Sequence, residues 1–213
     1  NEKHTEKLER MNAETCSERM HGELNNGVFL TTALEQVIIS ENGNVNYFEK
    51  IAENLMRDSQ SEYSGDSFIR CLQLAPGGVV SRIYPREDNE AGMIDLINDK
   101  DRGFICRYAR DNDKLIIQGP YNLAQGGKGV AIRKPVYLTT GDEAPSAENF
   151  WGFAIAIIRV PEIFENSVVT METFGYHYEL RIGDRRLRSS RNGVRFGNGA
   201  RFAADGFFHP RRQ

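Results

Sequence analysis

The stretch that decides the fold runs from Arg70 to Val160, and its clearest part reads LIIQGPYNLAQGGKGVAIRKPVYL over residues 115–138. Two runs here, Leu115–Leu123 and Gly129–Leu138, are rich in β-branched and aromatic residues and flank a Gly-rich break. This composition favours two strands joined by a turn. The break lacks the spacing of a phosphate-binding loop and precedes a strand instead of a helix. The sequence therefore predicts a hairpin.

Three more strands and a helix surround this hairpin. Trp151–Val160 has the same strand composition, and upstream a Pro-Gly-Gly turn joins Arg70–Leu74 to Val79–Pro85. A helix is expected over Asn98–Asp111, with Asp101 able to cap its first turn. The chain thus belongs to the α+β class, with a five-stranded antiparallel sheet and an inserted helix that form a half-open cup. A cup of this kind suits a small ligand.

The N-terminal part, residues 1–60, is predicted to be helical. Glu2–Ile39 contains no proline and is rich in helix-forming residues, which indicates a long helix of roughly 55 Å. A second helix is expected over Tyr47–Asp58. The first helix carries an apolar stripe that could pack on its own domain or pair with a second copy. We favour pairing in a homodimer, because so long a helix usually outruns the body beneath it. The stripe consists of Cys16, Met20, Leu24, Val28, Thr31, Leu34 and Ile38.

The C-terminal part, residues 161–213, is predicted to form a short linking helix and a small second lobe. The helix is expected over Glu162–Thr173, followed by a strand at Tyr176–Ile182. A hairpin is expected between Arg185–Arg188 and Gly193–Phe196, joined by an Asn-Gly turn. The middle part, residues 61–160, is then the sheet lobe.

Composition excludes some classes of protein. Hydrophobic residues make up 39% of the chain, as in ordinary folded proteins, and the net charge of −3 argues against nucleic-acid binding. The arginines between residues 181 and 201 are the one feature that favours it, and we rank it last. No run of about 18 apolar residues could cross a membrane. Because the chain begins at Asn1 without a signal peptide, we expect it to be a fragment of a longer protein.

Nothing in the sequence indicates catalysis, a cofactor or a metal. The four histidines lack metal-ligand spacing, and no side chain resembles a nucleophile next to a base. Of the three cysteines, Cys71 and Cys106 are expected to pack in the core, although a disulfide between them stays open. Cys16 lies on the predicted N-terminal helix.

Six short motifs carry a resemblance to a known family: Ile83-Tyr84-Pro85, Asn89-Glu90, Ile94-Asp95-Leu96, Gln118–Gly127, Arg133–Tyr137 and Phe150–Phe153. Their order and spacing resemble those of CHASE sensory domains over roughly Tyr63–Phe164. The resemblance implies a long helix followed by PAS-like lobes, and a position outside the membrane between flanking membrane segments. It also implies a ligand in the lobe far from the membrane, and fusion to a histidine kinase, a diguanylate cyclase or a related output. Residues 161–213 would be a reduced membrane-proximal lobe.

Asp95 is the first candidate for ligand binding. The resemblance implies that it matches the acidic position that binds the ligand's base in the cytokinin receptors of plants. A carboxylate there could accept hydrogen bonds from ligand N–H groups. The alternative is an ordinary turn or capping aspartate.

The third predicted strand supplies three further candidates. Ile117, Gly119 and Tyr121 should alternate onto the inner face of the cup. Ile117 matches an apolar ligand-contacting position in the plant relatives, as the resemblance implies, and Gly119 would leave room beside it. Tyr121 could equally contact ligand or pack as a core aromatic.

Arg133 on the fourth strand is the remaining main candidate. Its guanidinium could bind a carboxylate or phosphate, or could form a structural ion pair with Asp95 or Glu87, which is the commoner outcome. Tyr84 and Tyr108 are weaker candidates, since the first could only shape the end of its strand and the second could only pack the helix.

The sequence therefore predicts an extracytoplasmic domain that binds a small molecule and relays the change to a cytoplasmic output. The alternative is a dimerisation spacer that binds no ligand.

Overall fold

The computed structural model describes residues 22–58, 68–86, 94–122 and 127–160, and four short segments at 176–177, 179–182, 185–188 and 211–212. The chain divides into two compact units. One unit is Asn25–Val160, and the other combines Asn1–Leu24 with Pro161–Gln213.

A five-stranded antiparallel sheet is the centre of the first unit, as the sequence predicted. The strand order is β2-β1-β5-β4-β3, so the two longest strands, β4 and β5, lie side by side within it. The second strand is shorter than predicted, because Val79 forms only an isolated bridge with Asp95 before β2 begins. The bounds are β1 Ile69–Pro76, β2 Arg82–Tyr84, β3 Ile116–Asn122, β4 Lys128–Tyr137 and β5 Phe150–Val160.

Three helices are described between residues 22 and 160. Helix α1 covers residues 22–40, α2 covers Phe48–Asp58 and α3 covers Gly103–Asn112. Among the described residues, no helix combines the length and the apolar character that a membrane span needs.

Helix α3 begins five residues later than the sequence predicted. The carboxylate of Asp99 accepts hydrogen bonds from the backbone N–H groups of Asp101 and Arg102, at 3.0 and 2.8 Å. The carbonyl of Asp99 accepts a further bond from Gly103. These bonds close a separate turn ahead of the helix, whose N-cap residue is Arg102 and has no side-chain cap, so the structure shows no capping by Asp101.

Helix α1 packs on one face of the domain's own sheet. The stripe residues Thr31, Leu34 and Ile38 are at most 2% exposed. A Cβ atom added to Gly27 would lie 2.4 Å from the Cδ1 atom of Ile132, which shows how closely helix and sheet approach. This part of the apolar stripe is therefore used within the domain, contrary to the expectation that it pairs with a second copy. The predicted stripe residues Cys16 and Met20 lie outside the described residues.

A hydrogen bond joins the turn that follows α1 to the start of β5. The indole N–H of Trp151, the single tryptophan of the chain, donates a hydrogen bond to the carbonyl of Gly43 at 3.2 Å. Gly43 has a φ of 80°, and a Cβ atom there would lie 2.8 Å from the indole nitrogen. Glycine is therefore required where the tryptophan ring covers the turn.

Helix α3 packs on the opposite face of the sheet. Its buried residues include Cys106 and Ala109, which join an apolar cluster with Phe153 and Ile155 of β5. The hydroxyl group of Tyr137 donates to the carbonyl of Arg110 near the end of the helix. The sheet thus has a core on each face.

Beyond residue 160, the structure describes four short strands. Tyr176–His177 pairs with Arg211–Arg212, and Glu179–Ile182 pairs with Arg185–Arg188. The predicted strand at 176–182 is therefore two separate strands. The predicted linking helix, and the segment expected to pair with Arg185–Arg188, lie outside the described residues.

Replacing Gly152 by alanine should destabilise the domain by at least about 2 kcal/mol. The reason is that Gly152 has a φ of 152° and that its added Cβ would lie 2.2 Å from the carbonyl oxygen of Ala75. Urea unfolding followed by far-UV circular dichroism measures the loss. The control is Gly141→Ala, where φ is 59° but no atom lies within 4 Å, so only about 1 kcal/mol should be lost. Equal losses in the two variants would contradict the close approach of β1 and β5.

Candidate ligand-binding face

The strand register sorts the candidate residues between the two faces of the sheet. Arg133 stands between Ile116 of β3 and Ile155 of β5, and Ile155 belongs to the cluster under α3. Arg133 therefore lies on the face that α3 covers. Ile117 stands opposite Ile132, whose side chain meets α1, so Ile117 lies on the other face. We call the α3 side the inner face, with Gln73, Gln118, Ala131, Arg133 and Ile155, and the α1 side the outer face.

A β-bulge in β3 changes which residues of this strand share a face. Gln118 is in register with Ala131 and Tyr121 with Gly129, so three residue steps on β3 oppose two on β4. Gly119 lies inside the bulge with a φ of 143°, a conformation that residues with a side chain rarely adopt. The predicted alternation of Ile117, Gly119 and Tyr121 on one face is therefore wrong. Only the register position of Tyr121 matches the inner face.

The inner face contains a polar pair. The Nη1 atom of Arg133 donates a hydrogen bond to Oε1 of Gln118 at 2.6 Å. Arg133 is 4% exposed, while Gln118 is half-buried. Sequence reasoning missed Gln118, because strict alternation assigned it to the other face. The signal that could have found it is the Gly119-Pro120 dipeptide, which is typical of a break in strand pairing.

The carboxylate of Asp95 holds the turn that leads to α3. It accepts hydrogen bonds from the side-chain amide of Asn98 at 2.7 Å and from the backbone N–H groups of Asn98 and Ile97, both at 3.0 Å. These bonds, above all that from the Asn98 side chain, hold the pKa of Asp95 below its usual value. The geometry is that of the turn aspartate, and ligand binding by Asp95 stays a prediction.

The next turn is held by a second aspartate. Burial raises the pKa of Asp99, but the hydrogen bonds from Arg102 and Asp101 and the charge of Arg102 outweigh it, so the pKa is lowered. The Arg102 guanidinium and the Asp99 carboxylate are 3.0 Å apart. Arg107 in turn donates to the carbonyl of Ile97. The turns over residues 95–102 are thus fixed by their own polar contacts and by Arg107.

The two weaker tyrosine candidates, Tyr84 and Tyr108, are not brought together. Tyr84 pairs with Leu72, which pairs with Ala156, which in turn pairs with Ile132, so all four share the outer face. Tyr108 is half-buried on α3, and its carbonyl accepts a bond from Asn112. Tyr84 is therefore separated from Arg133 by the sheet.

Both described cysteines are free and buried, as the packing interpretation predicted. Burial raises the pKa of the Cys71 thiol to about 11, against the smaller opposing effects of Gln73 and Arg70. Burial also raises the pKa of Cys106, and the charge of Arg133 acts against it. Cys106 on α3 therefore lies within electrostatic range of Arg133.

A cavity of about 40 Å³ lies on the outer face, between α1 and α2, lined by apolar side chains that include Leu34, Ile38, Phe48 and Leu74. This space suits a few water molecules at most, so it is not the predicted ligand site. Within the described part of the chain, no three His, Cys, Asp or Glu side chains are grouped to hold a metal ion.

The sequence profile of the CHASE domain matches residues 48–192, which is more than half of the 213 residues. The chain belongs to the CHASE domain family. It is an extracytoplasmic sensory domain, and its N-terminal helix and five-stranded sheet have the PAS-like architecture that the sequence predicted. The match is wider than the region over which the motifs resembled the family.

Solved sensory proteins have similar folds. The extracellular ligand binding receptor from Desulfohalobium retbaense DSM5692 is 11% identical with a TM-score of 0.55, and the alignment covers 81% of this chain and 29% of that one. The CHASE chain thus spans less than a third of that receptor's length. No curated protein matches the sequence.

Two chemoreceptor domains are also similar at lower TM-score. The ligand-binding domain of the Pseudomonas aeruginosa PAO1 amino acid chemoreceptor PctC, in complex with GABA, is 14% identical with a TM-score of 0.48, covering 84% of this chain and 70% of that one. The sensory domain of the Campylobacter jejuni chemoreceptor Tlp3 (CcmL) is 14% identical with a TM-score of 0.48, covering 81% and 65%.

The stability of the domain should decrease as the pH is lowered, partly because of Asp99. Its folded pKa is below the unfolded value of about 3.9, so its contribution is present above about pH 4 and is lost as pH falls through the folded pKa. In Asp99→Asn, the free energy of unfolding should therefore decrease less steeply at low pH than in the wild type. Urea unfolding from pH 6 to pH 2.5 measures it. The control is Asp101→Asn, an exposed carboxylate of the same turn. If the free energy of unfolding of Asp99→Asn decreases as steeply as that of the wild type, Asp99 does not contribute to the acid sensitivity of the domain.

The two buried thiols should react slowly in the native domain. In a Cys16→Ser background, the Cys71 thiolate at pH 8 should be roughly 100-fold scarcer than that of a thiol with a pKa of 9, since its pKa is about 11. Ellman's reagent measures the rate, and unfolding in guanidinium should release two thiols per chain. Rapid labelling of both native thiols would show that the core is open.

Proposed function

We propose that this CHASE domain binds a small molecule at the inner face of its sheet and relays the binding to a cytoplasmic output of a membrane-anchored signalling protein. The observation that carries the proposal is the Arg133–Gln118 pair, a cation and an amide set among the apolar side chains beneath α3. A cation in an apolar layer costs free energy unless it is paired and hydrogen-bonded, so an arginine kept at such a position suggests a role in folding or binding. The similar fold of an extracellular ligand-binding receptor supports the same role.

The domain acts as a sensor and not as an enzyme in this proposal. Family membership supports this, because CHASE domains are sensory modules. The inner face offers hydrogen-bond donors and apolar contacts, which recognise a ligand. A histidine kinase or diguanylate cyclase is the proposed output.

Strand β4 offers a route from the ligand to helix α1. Arg133 lies on the inner face, and its neighbour Lys134 lies on the outer face, where its Nζ atom is 3.3 Å from Oε2 of Glu35 in α1. Both of these side chains are largely buried, so the pair is less screened than a surface ion pair. A ligand that binds two arrangements of β4 unequally would shift α1. In a second proposed route, β5 transmits the change toward residues 161–173 and the membrane, altering the relation of two subunits.

A spacer that only dimerises is the second candidate. It is favoured by Phe29 of α1, which is 65% exposed on the side away from the sheet. This side chain would give a second copy an apolar contact on the outward side of α1. A spacer would gain no stability from small molecules.

A thermal-shift screen tests the proposal. The panel contains the twenty L-amino acids, C2–C6 carboxylates, purine bases and polyamines. A ligand at 100 times its Kd should stabilise the domain by about 2.7 kcal/mol, or several degrees in Tm. Arg133→Gln should abolish the shift, whereas Lys134→Gln, the adjacent residue on the outer face, should retain it.

Two results would count against the proposal. If no compound shifts the wild type, the spacer is favoured. If a compound shifts Arg133→Gln as strongly as the wild type, the site is not at the inner face. Circular dichroism of both variants shows whether they are folded.

A further inference from the structure

We infer that two glutamines, Gln73 and Gln118, hold opposite ends of the ligand and select a molecule with a donor at one end and an acceptor at the other. The body between these ends is apolar. This inference rests on the proposed function and adds the chemical pattern that the inner face recognises. The sequence analysis assigned a role to neither glutamine.

Helix α3 covers only part of the inner face. Ile155 of β5 belongs to the buried cluster under the helix, whereas Ile157, the next inner-face residue of β5, is half-buried at the margin of that cluster. In register, Ile157 stands between Cys71 of β1 and Ala131 of β4, and Ala131 pairs with Gln118 of β3. This row therefore crosses the sheet where the cover of α3 ends, with an apolar side chain in its middle.

At the β3 end of this row, Gln118 offers a hydrogen-bond donor. Its Oε1 atom accepts the bond from Nη1 of Arg133 at 2.6 Å. The reversed amide would put an NH₂ group against the guanidinium, where both groups are donors and no hydrogen bond forms. Within the described part of the chain, the Nε2 group of Gln118 has no hydrogen-bond partner and is accessible to solvent. It can therefore donate to an acceptor of the ligand.

At the β1 end, Gln73 offers an acceptor. This side chain is half-buried, and its Nε2 group donates to the Sγ atom of Cys71 at 3.4 Å. Burial raises the pKa of that thiol to about 11, so the sulfur is a neutral and weak acceptor. Among the described residues, none hydrogen-bonds to the Oε1 atom of Gln73, which is accessible to solvent. It can therefore accept a hydrogen bond from the ligand.

The spacing of the two amides suits a small molecule. Strands β5 and β4 lie between β1 and β3, so the backbones of Gln73 and Gln118 are about 14 Å apart. The two long side chains shorten this gap to the length of a small metabolite that rests on Ile157. A half-buried amide has lost part of its hydration, so a ligand that lacks the matching group is rejected.

The decisive variants make the same change at both glutamines. Gln118→Glu removes the donor, so affinity should fall at least about 10-fold. Gln73→Glu keeps an acceptor, so affinity should change less than about 3-fold, whereas Gln73→Leu removes it and should cost at least about 10-fold. The matched controls are Gln36→Glu and Gln36→Leu on the exposed side of α1, which should bind as the wild type does. If Gln118→Glu is unfolded by circular dichroism, Gln118→Met replaces it with the same expected loss.

The probes are the compounds of the thermal-shift panel, with affinities measured by calorimetry. Amino acids and purine bases carry both donors and acceptors, so the binding compounds should be found among them. Protonated polyamines carry no acceptor and unsubstituted carboxylates carry no donor, so neither class should bind. Each binding compound is compared with its N-methylated derivative that lacks the donor. Methylation should weaken binding to the wild type but not to Gln73→Leu, where the acceptor is already gone.

The outcomes separate this inference from the function. If a compound binds and needs Arg133, but Gln73→Leu binds it as tightly as the wild type does, the sensor role stands and the inference fails. If Gln73→Glu loses as much affinity as Gln73→Leu, Gln73 donates to the ligand and the assigned pattern is overturned. Binding by polyamines or unsubstituted carboxylates alone also overturns it. If no compound of the panel stabilises the wild type, the proposed function itself fails.

Discussion

The antiparallel pairing of β4 with β5 is the constraint on which the rest of the domain depends. Its register runs from Lys128 opposite Val160 to Tyr137 opposite Phe150. Because neighbouring residues of a strand point to opposite faces, this register gives Arg133 to one core and Lys134 to the other. A slip by one residue would bury the lysine under α3 and turn the arginine toward α1. The long pairing therefore fixes the fold and the chemistry of both faces together.

Much of the fold could be predicted from composition. The β-branched runs and the glycine breaks gave five strands in the correct order along the chain, and the packing of Cys71 and Cys106 followed from how cysteines are usually buried. The start of α3 could not be placed, since an acidic turn precedes the helix and looks like a helix start in sequence. The contacts of Asp99 with Arg102 close that turn separately, and α3 begins only at Gly103.

The candidate site was harder to predict than the fold. Arg133 was a candidate because small residues on its face of the strand suggested a concave patch, and its role in binding stays a prediction. The grouping of Ile117 with Tyr121 failed because a count of alternate residues between them crosses the bulge at Gly119, whereas Gln118 pairs with Ala131 before it. Periodicity cannot show such a shift, because it depends on how strand pairs close in three dimensions. The use of the α1 stripe was uncertain for a similar reason, since one apolar stripe serves a sheet or a partner helix equally well.

The contact between Trp151 and Gly43 has a practical consequence. The indole of Trp151, the single tryptophan of the chain, contacts the turn that follows α1. Trp151 itself belongs to β5, inside the five-stranded sheet. Displacement of α1 relative to β5 would change the hydration of this ring. The ultraviolet emission of the unmodified protein would then shift in wavelength, so the movement of the helix becomes visible without any attached dye.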